Sequence, residues 1–130
     1  MTTVSKSKIQ KAQDRPREDV NVPEWGGKVT VQAMSDLERG EFEYECGLVD
    51  RPDGNDVRGF RVRLVQRSVV NGDGKLMFSS DDINWLQHKS GAVLSRIADV
   101  AMRLSGFSKQ DVEELAGNLP TTPEDSSGSG

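Results

Sequence analysis

Histidine and cysteine are nearly missing from this 130-residue sequence, with His88 and Cys46 the single examples of each. One cysteine excludes an internal disulfide, and one histidine leaves few metal ligands and no Ser-His-Asp site that does not use it. Aromatic side chains make up only 5% of the chain and hydrophobic ones 34%, against 29% charged. That is lean for a globular protein, so the core is expected to be small. No apolar run approaches the roughly 18 residues of a membrane span. Residues 1 to 11 hold no apolar stretch of the signal-peptide kind, and the expected setting is the cytoplasm.

Charge is present in both signs but unevenly placed. Residues 1 to 18 carry Lys6, Lys8, Lys11, Arg15 and Arg17 against Asp14 and Glu18, while 19 to 130 carry 12 basic and 19 acidic side chains. The net charge of -4 thus divides into a basic arm and an acidic remainder. With Val4 and Ile9 as its only larger aliphatics, the arm cannot offset the roughly 1 to 2 kcal/mol per residue of ordering a backbone. Residues 1–18 therefore read as a disordered arm. Residues 119–130, rich in Pro, Ser and Gly, read as a disordered tail. Residues 19–118 are left as one folded domain.

Within that domain the patterning predicts an α+β fold, mostly helical with an N-terminal β-hairpin. Val20 to Trp25 and Lys28 to Gln32 flank the glycine pair Gly26-Gly27, and Val29 and Val31 alternate with polar residues as a half-buried strand does. Pro23 breaks or edges the first strand. Ser35 with Glu38 is a capping-box pair opening a helix from Asp36 to about Leu48, whose stripe of Leu37, Glu41 and Tyr44 or Cys46 is ragged. Phe60 to Val70 fits both periods and is read as helix. Asn71 to Gly74 is a turn, Lys75 to Phe78 a short extended piece, and Ser79 with Asp82 caps a short helix through about His88. The clearest pattern is Gly91 to Leu104, with Val93, Leu94, Ile97, Ala101 and Leu104 on one face, Ser90 as N-cap and Gly106 as stop. A last helix is expected from Ser108, carrying Val112, Leu115 and Ala116.

Residue clusters that could carry chemistry have plainer readings. Asn71-Gly-Asp-Gly74 resembles a calcium loop only superficially, because aligning Gly74 with the loop glycine puts Val69 at the first ligand position. His88 near Asp81 and Asp82 suits a helix terminus better than a metal or general-base cluster. Cys46 has no adjacent base, and Glu38, Glu41, Glu43 and Glu45 fit a solvated helix surface. Arg61, Arg63 and Arg67 fit a salt-bridged face. Trp25 and Trp85 are core candidates first. No catalytic residue, metal site or cofactor is expected, and nucleic acid is an improbable partner because no aromatics interleave with the basic arm.

The order of short phrases is more telling than any one cluster. Val22-Pro-Glu-Trp-Gly-Gly-Lys-Val-Thr-Val31 precedes Ser35-Asp-Leu-Glu-Arg-Gly-Glu-Phe-Glu43 and Arg61-Val-Arg-Leu-Val65. Next come Asn71-Gly-Asp-Gly-Lys-Leu-Met-Phe-Ser-Ser-Asp-Asp82 and Leu94-Ser-Arg-Ile-Ala-Asp-Val-Ala-Met-Arg-Leu-Ser-Gly106. This order resembles the tail assembly chaperones of long-tailed bacteriophages, the lambda G class in its short form, over about residues 20 to 118. The resemblance implies a non-enzymatic factor of the host cytoplasm, absent from the mature virion, that keeps the tape measure protein soluble. A longer frameshifted form would recruit tail tube subunits. The insertion at about Gly47 to Gly59 and the helix-disfavouring Gly40 depart from the pattern.

The class supplies no residue-level contact signature. The expected partner surface is Trp85 with the exposed part of the Gly91 to Leu104 helix, drawn from Val93, Leu94, Ile97, Ala101 and Leu104, with the arm as an electrostatic accessory and a second copy as a further partner. The rival readings are a small nucleic-acid-associated regulator using the arm, and a virion connector or tail terminator.

Overall fold

The computed structural model describes residues 2–46, 59–108 and 110. A three-stranded antiparallel sheet, in the order β1-β2-β3, is covered on one face by helices. Strands β1 (Arg17–Val22) and β2 (Gly27–Gln32) form the expected hairpin, in register from Arg17 opposite Gln32 to Val22 opposite Gly27. Pro23–Trp25 make one turn of 3-10 helix between them, and Gly26 closes it at φ 85°, a left-handed conformation open to glycine without strain. The alternation places Val20, Val22, Val29 and Val31 in the core.

Helix α2 (Asp36–Glu45) starts where the capping box puts it. The Ser35 hydroxyl accepts from the Glu38 N–H at 3.2 Å, and Glu38 Oε1 accepts from the Ser35 N–H at 2.9 Å. Helix α3 (Phe60–Ser68) runs without a loop into β3 (Val69–Val70), which pairs with Thr30 and Val31 of β2. The expectation of helix through Val70 is thus corrected at its last two residues. There a β-branched pair finds an open strand edge, and sheet pairing overrides the helical period.

The turn at Asn71 to Gly74 follows, and Leu76 bridges back to Val70. One 3-10 turn at Ser80–Asp82 leads into the short helix α4 (Ile83–Leu86). Helix α5 (Gly91–Leu104) begins at the Ser90 N-cap, whose hydroxyl accepts from Val93 N–H at 3.3 Å. It ends in a Schellman arrangement around Gly106, with Phe107 N–H on Met102 O and Gly106 N–H on Arg103 O.

The stretch expected as an arm carries more structure than its composition suggests. Residues Lys6–Lys11 form helix α1, capped by Ser5, and β1 takes in Arg17 and Glu18. These two charged residues belong to the sheet because each has a partner: Arg17 Nε donates to Gln32 Oε1 at 2.7 Å, and Glu18 meets Arg103 at 2.9 Å. The last helix expected from Ser108, the tail at 119–130 and most of the Gly47 to Gly59 insertion lie outside the described residues.

The core sits between the sheet and the helices. Helix α5 spans β1 and β2 and packs on α3, and α2 packs on α3 as well. Phe42, Leu64, Val65, Leu86, Val93 and Ile97 are essentially sealed from solvent. Each contributes about 1.5–3 kcal/mol by leaving water.

Candidate functional site

Most of the apolar stripe of α5 is used up by the fold. Val93, Leu94, Ile97 and Ala101 are buried against α3 and the sheet, and Leu104 packs partly against the same cluster. The opposite face of α5 is polar and pinned: Arg96 clasps Glu24 through two hydrogen bonds of 2.7 and 2.9 Å and also donates to the Asn21 carbonyl, and Arg103 holds Glu18. This clasp holds the Glu24 carboxyl down to about 2, the Arg96 hydrogen bond being the main cause. Together these arginines fasten the free edge of β1 to α5 rather than offering a surface to a ligand.

Trp85 stands apart from those four residues. Its side chain is 48% exposed, so it is a surface tryptophan and not the core residue its type first suggests. Its indole N–H donates to Asp82 at 2.9 Å, and its ring meets Phe78 edge to face at 5.9 Å. Asp82 is therefore occupied by the Ser79 N–H and by Trp85, which lower its pKa in that order, and is not arranged with the exposed His88.

Among the described residues, the most exposed large apolar side chain, Leu37, lies on α2. Phe42 and Cys46 turn inward, and Leu37, Gly40 and Tyr44 form a stripe on the outer face, with Leu37 71% exposed. Those three positions are one and two helical turns apart, so the signal was present. The sequence stripe of Leu37, Glu41 and Tyr44 or Cys46 is ragged because it mixes this outer face with the inward Cys46. A shallow depression runs along this stripe, walled by Asp36, Glu41, Glu45 and Arg67. The guanidinium of Arg67 bridges Glu41 and Glu45 at 2.8 Å each, and the Glu45 hydrogen bond raises its pKa. The expected salt-bridged character of the α3 arginines is thus present at Arg67.

At the start of α2, Glu38 Oε1 also accepts from Arg15 at 2.8 Å. This ties the basic segment to the acidic helix. The four acidic residues of α2 noted in the sequence form ion pairs with Arg15, Arg39 and Arg67. They do not converge on a cleft as a glycosidase pair would.

The remaining clusters keep their plain readings. In the Asn71 to Gly74 turn, the Asp73 carboxylate accepts from Lys75 N–H, and a Cβ on Gly74, at φ 83°, would run into the Arg17 guanidinium. Cys46 is buried at the end of α2. Among the described residues, no group of three or more His, Cys, Asp or Glu could hold a metal ion, and no helix is long and apolar enough to cross a membrane.

No protein-family model matches the sequence, and no curated protein matches it. Among solved structures the chain is similar to the tail assembly chaperone of bacteriophage HK97, with a TM-score of 0.55 and 23% identity. The match covers 75% of this chain and 94% of that one. The two share a fold.

Proposed function

We propose that this protein is a phage tail assembly chaperone that binds the tape measure protein and keeps it soluble while tail tube subunits assemble around it. The observation that carries this reading is the fold shared with the HK97 chaperone over nearly all of that chain. The order of sequence phrases from Val22 to Gly106 supports it independently. So does the surface: exposed apolar positions lie on a charged exterior, which suits weak, repeated contacts along one long helical partner. The role is non-enzymatic, its place is the host cytoplasm, and the finished virion lacks the protein. A longer form made by frameshifting would carry the tube-recruiting extension.

Co-expression with the tape measure protein of the same phage tests the reading. The two are expected to co-purify, with the tape measure protein moving from the insoluble to the soluble fraction. If neither protein changes the other's solubility and they do not co-purify, the proposal fails. Stoichiometric recovery of the chain from purified particles would favour a virion component instead. A salt-dependent shift with DNA or RNA would favour the regulator. A slippery heptamer overlapping the codons after about Leu115 is expected in the gene.

A further inference from the structure

A groove runs between the start of α3 and the later turns of α5. Phe60, Ala98, Met102 and Phe107 give it an apolar lining around a cavity of about 330 Å³. Ala98 and Met102 are its buried floor, whereas Phe60 and Phe107 pack against the core without being sealed by it. The rim is charged and exposed, with Arg61 on the α3 side and Asp99 and Arg103 on α5. Arg61 lies over the Phe60 ring at 5.4 Å and forms no ion pair among the described residues, while Arg103 is engaged by Glu18.

The chain itself leads into this groove. Gly106, at φ 78°, turns the backbone at the end of α5, and the next two residues, Phe107 and Ser108, stand in the groove wall. Residues 111–118 follow from that wall and complement it. Val112, Leu115 and Ala116 recur at the spacing of one helical face, and Asp111, Glu113 and Glu114 bring three carboxylates with no basic residue among 111–118. Apolar face meets apolar lining, and carboxylates meet a rim richer in guanidinium than in carboxylate. The lengths agree as well: from Ser95 to Met102 the groove follows α5 for about 10 Å, and a helix over 111–118 covers about 12 Å.

We infer that the groove between α3 and α5 is the docking site of this chain's own residues 111–118, which run back along α5 with Val112, Leu115 and Ala116 on the apolar lining and the acidic side chains toward Arg61. The occupant is the same molecule because residues 105–110 are a connection of the length that joins antiparallel helices, roughly 2–8 residues, and closing so short a loop costs less than recruiting a second chain. This docking is independent of the chaperone reading and requires no tape measure protein.

Full-length protein with labelled methyl groups tests the inference by NMR. Nuclear Overhauser contacts are expected from the Leu115 methyls to the Met102 methyl and the Phe60 ring. In a mixture of labelled and unlabelled copies, no such contact is expected between copies. The amides of 112–118 are expected to exchange about tenfold or more slowly in wild type than in Leu115→Asp. Arg61→Glu, at an exposed position outside both the core and the segment, is expected to speed that exchange severalfold. Wild type without the Leu115 contacts, contacts that arise between copies, amides of 112–118 that exchange at the rate of an unstructured chain, or variants that leave this exchange unchanged would each overturn the proposal.

Discussion

Phe42 shows how much a single side chain carries in a core this small. It is sealed inside α2, and its ring meets Phe107 edge to face at 6.0 Å, while Arg39 lies over the other ring at 4.1 Å. Phe42→Ala is expected to destabilise the protein by about 3–5 kcal/mol, measured by urea denaturation, because it leaves a cavity and unties α2 from the end of α5. Ser68 makes the opposite case. It is fully buried, and its hydroxyl has no hydrogen-bond partner among the described residues. Ser68→Ala removes a desolvated polar group and is expected to leave the melting temperature unchanged or to raise it, by up to about 1 kcal/mol in stability. Neither role is visible from residue type alone, because both depend on neighbours distant in sequence.

At the scale of elements, caps and ion pairs decide where each segment begins and what it fastens. The Ser35 hydroxyl accepts from the Glu38 N–H, so Ser35→Ala is expected to cost about 1 kcal/mol, read by thermal denaturation. The clasp between Glu24 and Arg96 joins the β1 end of the hairpin to α5 across 72 residues. A carboxylate whose pKa is lower in the folded state contributes stability that is complete above its ordinary value of 4.5 and is lost as pH falls toward about 2. Asp19, lowered by its bond to Lys28, acts in the same direction. The stability difference between wild type and Glu24→Gln is therefore expected to shrink as pH falls from 4.5 to 2, followed by denaturation at each pH.

Element starts and stops were legible where a side chain announces them, as at Ser35, Ser79, Ser90 and Gly106. The strand at Val69–Val70 was not, because an edge for it to join exists only once the hairpin has folded.

Seen whole, the molecule places its strongest amphipathic helix at the centre and its weaker ones at the rim. This is why the core was readable and the candidate surface was not. Periodicity finds the residues a helix hides, and α5 hides nearly all of its stripe, whereas Leu37 and Tyr44 keep helical spacing on an outward face and Trp85 stands outside any stripe. The free edge of β1 has a related logic: Arg96 bonded to the Asn21 carbonyl and Arg103 bonded to Glu18 keep it from pairing with another sheet. Replacing both arginines with alanine is expected to raise aggregation on mild heating, measured by light scattering, more than it lowers the melting temperature.

The direct passage from Ser68 into Val69 sets a last constraint, one of phase. With no residue between helix and strand, the angle of α3 about its axis and the register of β3 on β2 are a single setting. One inserted residue would turn α3 by about 100° or exchange the faces of Val69 and Val70, either way driving a buried side of the domain into water. The Gly26-Gly27 turn can absorb a change in length; this junction can only slip whole.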